Sequence, residues 1–396
     1  MIRTLPYAAA LLGLAAAQNP GTNPEVRPKL ETWKCTVADG CVSANTAVVL
    51  DSSAHSIHLP DSDAACSGTN CVIEGIADYE SHGVTTDGGA INLLQLVNGQ
   101  SVSPRVYLLE ETETAYEMLK LTGNELSFDV DVSKLPCGMN GALYLSEMGA
   151  DGGQSEANPA GAPYGTGYCD AQCYTQTFID GEANPDGLGS CCNEMDIWEA
   201  NNAATAFAPH PCSVDGVFAC TGEECESTGV CDKNGCGYNN YALGNDTYYG
   251  PGLIVDTSRP FTVVTQFPAT DGILTEIRRL YIQDGKVIQN APINIEGPEP
   301  GDSTTPEFCE ATGATAFNRL KGLETMGGAL SRGMVLIFSI WWDTTGYMNW
   351  LDSGNAGPCS ATEGNPDEIV KVEANPAVTY SNIKWGEIGS TFSEGN

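Results

Sequence analysis

From Leu126 to Val132 the side chains alternate. Leu126, Phe128, Val130 and Val132 fall on one parity, and Ser127, Asp129 and Asp131 on the other. A period of two belongs to an extended chain with one buried face and one wet face, so this segment is predicted as a strand. Similar patterns place strands at 105–109, 142–148, 261–267 and 334–342, and Asp284-Gly285 between Ile282 and Val287 has the sequence of a tight hairpin turn. The unbroken apolar run 335–340 reads as a central strand covered on both faces, with Trp341 and Trp342 at its end. Long helical periodicity is nearly absent, and 45 glycines and 22 prolines are scattered between the short apolar segments. Many short strands, turn-rich connections and no βαβ rhythm predict an all-β chain, two packed antiparallel sheets in a β-sandwich or jelly roll. Such a sheet, if curved, offers a concave face.

The first residues change the compartment. Arg3 precedes an apolar run from Ala8 to Leu14, which ends in Ala15-Ala16-Ala17 before Gln18. This is the pattern of a secretory signal over 1–17, and the run falls well short of the roughly 20 residues that a membrane-spanning helix needs. A secreted, extracellular chain with 16 cysteines is expected to pair them as disulfides. Cys169-x-x-x-Cys173 and Cys191-Cys192 are close enough to raise a zinc site, but only four histidines exist and no CxxC pair repeats with finger spacing. Neither a metal nor another cofactor is expected. Residues 18–396 show no Ser/Thr/Pro-rich linker and no shift in composition, so they are read as one domain without an appended module. Lys and Arg number 17 against 51 Asp and Glu, a formal charge of −34, which repels phosphate backbones and anionic lipid. Nucleic acid and membrane are therefore not expected partners; a neutral substrate and a monomer are.

Candidate chemistry concentrates in Cys191-Cys192-Asn193-Glu194-Met195-Asp196-Ile197-Trp198-Glu199, where three acids fall within six residues. On a regular strand Glu194 and Asp196 share a face while Met195 and Ile197 turn away, and Glu199 has the wrong parity to join them. A β-bulge between Asp196 and Glu199 would restore it to their side. Retaining glycoside cleavage uses two carboxyl groups about 5–5.5 Å apart, one as nucleophile and one as acid and then base. Five strand residues span about 16 Å, a gap that leaning side chains, a bulge and curvature can largely close. Carboxylates held this close separate their pKa values, leaving one protonated and one ionised, with Asp196 placed to share a proton with Glu194. A solvated acidic strand edge or a calcium site is the competing reading. Neither accounts for three acids set among Met195, Ile197 and Trp198 beside a double cysteine.

Glu194-Met195-Asp196-Ile197-Trp198-Glu199 after a Cys-Cys pair resembles the catalytic signature of the family 7 glycoside hydrolases, the fungal cellulases. The likeness extends through 102–107, 125–130, 167–173 and 350–359, and in these stretches it is to the endoglucanase branch. It implies a concanavalin-like β-sandwich with an open cleft for a β-1,4-glucan chain, Glu194 as nucleophile, Glu199 as general acid/base and Asp196 as the carboxyl that tunes the nucleophile. Asp170 and His210 match neighbours of the catalytic centre. Tyr144, Gln172, Arg105, Ser339, Trp341 and Trp350 match substrate contacts; flat indole rings suit the C–H faces of sugars. Trp342 and Trp385 are read as packing residues. The same resemblance implies disulfides Cys35–Cys41, Cys66–Cys71, Cys137–Cys359, Cys169–Cys192, Cys173–Cys191, Cys212–Cys231, Cys220–Cys225 and Cys236–Cys309.

Departures from the family pattern refine the expectation. Ala54 and Ser56 stand where similar cellobiohydrolases have tunnel tryptophans, Ala356 replaces a product-binding arginine, and the segment 225–231 offers no arginine. Weaker grip at the distal sites favours internal cleavage, an endo-1,4-β-D-glucanase, over a cellobiohydrolase of the same family. A non-catalytic lectin on the same sandwich needs no paired glutamates, a structural wall protein needs neither acids nor groove tryptophans, and a β-1,3-1,4-glucanase or transglycosylase shares the Glu-x-Asp-x-x-Glu arrangement. Asn245-Asp246-Thr247 is an N-glycosylation sequon.

Overall fold

The computed structural model describes residues 18–68 and 70–393. The predicted signal at 1–17 lies outside the described residues, among which no helix is long and apolar enough to cross a membrane. Two sheets dominate. The first runs in the order Tyr238–Asn239, Thr205–His210, Glu194–Ala200, Met139–Ser146, Met334–Trp342, Arg105–Leu109 and Ala47–Leu50. The second runs Lys286–Gln289, Ile277–Gln283, Phe261–Gln266, Asn124–Asp131, Ala377–Glu387, Trp33–Thr36 and Gly40–Ser43. Pairing within both is antiparallel except where Trp33–Thr36 runs parallel to Ala377–Glu387.

The predicted alternation decides how the sheets meet. Leu126, Phe128 and Val130 of the second sheet join Leu143, Leu145, Met195, Ile197, Trp198 and Phe338 of the first in one buried cluster. Trp198 lies at its centre, edge-on to Phe128, Tyr249, Phe261 and Tyr281 with centroids 5.9–6.5 Å away, a geometry that adds about 0.5–1.5 kcal/mol per pair beyond area burial. Met334–Trp342 is buried from Met334 through Ile340, as expected of a central strand. Trp342 and Trp385 pack against the core. Asp284 and Gly285 both take positive φ, +54° and +70°, the conformation of a type I′ hairpin.

Two expectations are corrected. The strand read at 142–148 is Met139–Ser146. Its Asn140-Gly141 start has turn chemistry locally, but Gly141 is needed in the core: an added Cβ would lie 2.7 Å from Leu135 Cδ1. The second correction is a helix, Gly322–Arg332, which buries Leu323, Met326 and Leu330 on one stripe. Gly327 and Gly328 weaken its helical signature, yet a Cβ on Gly327 would lie 2.6 Å from Leu274 Cβ, so close packing requires the glycine. All eight disulfides implied by the family resemblance are present, and no cysteine is free.

Candidate active site

The Glu194–Ala200 strand carries the bulge. Against Thr205–His210 its register jumps between Asp196↔Ala208 and Glu199↔Ala206, and against Met139–Ser146 it slips between Leu143 and Tyr144. Ile197 and Trp198 thus oppose the single Phe207. Both are fully buried in the core together with Met195. Glu194, Asp196 and Glu199 take the other face, where Glu194 and Asp196 are 8% exposed and Glu199 is somewhat more open.

Each acid has different company. Glu194 Oε2 accepts the Ala171 N–H at 3.0 Å, a donor presented by a tight turn in which Asp170 Oδ1 accepts from the N–H groups of Gln172 and Cys173. Cys173 at φ +57° completes that turn. Disulfides Cys169–Cys192 and Cys173–Cys191 clamp it to the residues just before Glu194. Asp196 Oδ2 meets His210 Nε2 at 3.0 Å, and His210 Nδ1 lies 2.9 Å from the Asp232 carbonyl, so Nδ1 carries a proton. Glu199 Oε1 accepts from Asn140 Nδ2 at 3.0 Å.

These surroundings shift the titrations. Burial, then repulsion from Asp196, pushes the Glu199 carboxyl up to about 8. Burial, then Asp196 and Asp170, also raises Glu194 well above the usual carboxyl range, with His210 and the Ala171 N–H opposing. Burial works against a charged His210, but the Asp196 hydrogen bond and charge, followed by Glu194, raise it to about 10. Asp170 is raised by burial, against the Tyr168 hydroxyl and Arg105.

A second cluster adjoins the first. Tyr168 donates to Asp170 Oδ2 at 2.9 Å and lies 3.1 Å from the Tyr144 hydroxyl. The Arg105 guanidinium stacks 3.4 Å over the Tyr168 ring and pairs with Asp51 at 3.0 Å. Ser339 stands in register between Arg105 and Ala142, and Ala142 pairs in turn with Glu199. Trp341 is partly exposed opposite Asn140. Gln172, next to Ala171, donates its Nε2 to the Lys233 carbonyl at 2.8 Å. Trp350, 50% exposed, sits on the short helix Asn349–Asp352. Asp352 accepts from Asn201 Nδ2 at 2.7 Å, which ties that helix to the far end of the Glu194–Ala200 strand.

Asn140, Asp51 and Tyr168 are not among the site residues that the sequence predicts. Tyr168 carries a signal, since it lies inside the family-like stretch 167–173. Asn140 has none, because its partner is 59 positions away.

The model of glycosyl hydrolase family 7 matches residues 20–392. Over 99% of both chains, the sequence is 54% identical to a probable endo-beta-1,4-glucanase celB of Aspergillus terreus. The native endocellulase EGI structure of Humicola insolens superposes with a TM-score of 0.93 at 52% identity, covering 94% of this chain and all of that one. A cellobiohydrolase structure of the same family from Daphnia pulex gives 0.88 at 37% identity, again over 94% of this chain and all of that one.

Proposed function

The chain belongs to glycosyl hydrolase family 7, and from that premise we propose that it is a secreted retaining endo-1,4-β-D-glucanase in which Glu194 is the nucleophile and Glu199 the acid/base. The observation that carries the assignment is the bulge at Ile197-Trp198, which puts two glutamates with unequal partners on one face. On Glu194 a backbone N–H and the nearby His210 favour the ionised form against burial and the neighbouring Asp196 and Asp170, which raise it. Glu199 has one neutral amide donor on Oε1, which leaves Oε2 to hold a proton. Glu199 then protonates the glycosidic oxygen as Glu194 attacks the anomeric carbon; in the second step it takes a proton from the water that releases the sugar, and the anomeric configuration is retained. Asp196 and its bonded His210 set the field on Glu194.

Stacking on the exposed Trp350 and partly exposed Trp341 supports binding of a glucan chain, with Arg105, Tyr144, Asp170, Gln172 and Ser339 as polar contacts. Ser56 is exposed and Ala54 packs against the core, so neither offers a distal aromatic platform. This supports internal cleavage.

The test is kinetic and stereochemical. Glu194→Gln is expected to abolish turnover while keeping oligosaccharide binding, and NMR of the first product anomer should show retention. Glu199→Gln should slow phenyl β-cellobioside far more than 2,4-dinitrophenyl β-cellobioside, and equal loss on both would exclude the acid role. Early release of cellobiose from cellulose, with almost no fall in carboxymethyl-cellulose viscosity, would favour the cellobiohydrolase reading.

A further inference from the structure

Behind the acid-bearing strand lies a charge that the proposed chemistry does not use. Arg279 projects from the Ile277–Gln283 strand of the second sheet into the core between the sheets, where it is 2% exposed. Its Nη2 donates to the carbonyl of Ile197, the bulged residue, and its Nε donates to Thr265 Oγ1 at 3.2 Å. The guanidinium stacks 4.5 Å from the Phe207 ring, the residue that opposes the bulge, and lies 5.8 Å from Trp198. No carboxylate pairs with it among the described residues, and Nη1 has no acceptor. Burial lowers its pKa from the ordinary arginine value.

An unpaired buried cation is costly to a fold. Leucine or methionine would fill the same space without that cost, as the surrounding Phe207, Trp198 and Tyr281 do. What only arginine supplies here is a planar set of donors reaching a backbone carbonyl while its face covers an aromatic ring. The carbonyl it reaches belongs to the one residue where the strand leaves its regular register, and the ring it covers belongs to the one residue facing that break. Without the bulge, alternation returns Glu199 to the core side.

We propose that Arg279 is a positioning residue which holds the Ile197-Trp198 bulge from behind and so fixes Glu199 on the substrate face. The inference rests on the reading of Glu199 as acid/base. Removing Arg279 loosens Glu199 and leaves Glu194, anchored at the other end of the strand by Ala171 and two disulfides, in place. The loss therefore follows the need for an acid.

The experiment compares phenyl and 2,4-dinitrophenyl β-cellobioside as substrates for Arg279→Gln, Arg279→Lys, Glu199→Gln and the double variant Arg279→Gln/Glu199→Gln. Arg279→Gln is expected to lower kcat/KM on the phenyl substrate by about tenfold or more, and on the dinitrophenyl substrate by less than about threefold. Arg279→Lys, which keeps a cation and a donor, should shift the same ratio in the same direction by less, and it carries the test if Arg279→Gln does not fold. In the Glu199→Gln background, adding Arg279→Gln should cost nothing further on the phenyl substrate. Equal losses on both leaving groups, or an undiminished loss in the Glu199→Gln background, overturn the positioning role. A Glu199→Gln variant without leaving-group dependence overturns the acid assignment itself, a result visible apart from any Arg279 variant.

Discussion

Replacing Asp196 by Asn should slide the pH–activity profile toward acid, and replacing His210 by Gln should move its alkaline limb the other way. On the proposed assignment the alkaline limb reports loss of the proton on Glu199, which is pushed up to about 8 from a reference of 4.5. Burial is the larger cause and survives both substitutions; repulsion from Asp196 comes next and is removed in Asp196→Asn. One like charge at close range is worth about 1–3 pKa units, and each unit is about 1.4 kcal/mol of differential stabilisation. The limb should therefore fall by roughly one to two units and stop above the reference value, because the burial contribution remains. Glu194 is also repelled by Asp196, so the acid limb falls in the same direction. His210 lowers the carboxyls, and its removal moves the alkaline limb upward by a smaller amount. The assay is kcat/KM for phenyl β-cellobioside across the pH range, which reads the free enzyme. An unmoved or rising alkaline limb in Asp196→Asn, or shifts of the same sign in both variants, would refute the electrostatic account.

Other expectations follow from the same geometry. The Glu199 pKa is higher folded than unfolded, so its contribution to stability is full below about 4.5 and is lost as pH rises toward about 8; Glu199→Gln should flatten that decline and gain about 1–3 kcal/mol at pH 8 in urea unfolding. His210, raised to about 10, loses its stabilising charge in a higher window, from about 6.5 upward, so His210→Gln should reduce stability at pH 6 more than at pH 10. Cys169–Cys192 spans 23 residues and encloses Cys173–Cys191; opening the outer bond alone leaves the inner one closing the loop and should cost about 2 kcal/mol, while opening both should cost about 3 kcal/mol more, measurable as stepwise falls in Tm. Trp350→Ala should raise KM for soluble cello-oligosaccharides about three- to tenfold with no change in Tm, since half of the side chain is already in solvent.

The fold was most legible where side-chain periodicity and burial agree. Leu126, Phe128 and Val130 point inward as their spacing requires, and the run from Met334 keeps its predicted bounds. Glu199 was legible through a broken rule, because its wrong parity demanded a bulge and the register jump lies between Asp196 and Glu199. The strand predicted from 142 begins at Met139 because Gly141 packs in a core with no room for a Cβ, a contact that local periodicity does not register. Helix Gly322–Arg332 has a readable stripe of Leu323, Met326 and Leu330, hidden by glycines that packing demands. The partners that tune the site were not legible. The Ala171 N–H and Asp232 carbonyl are backbone groups that any residue type offers, and Arg279 reaches Ile197 from 82 positions away.

The Ala377–Glu387 strand lies inside the second sheet, pairing with Asn124–Asp131, with Trp33–Thr36 and with Ala90–Leu94. A ribosome delivers this strand long after its neighbours, so the early strands must wait with apolar faces uncovered. The second sheet therefore closes late in synthesis, and chaperone protection of the nascent chain should limit yield more than the final stability does. A nascent chain stopped before residue 377 should be protease-sensitive throughout the second sheet.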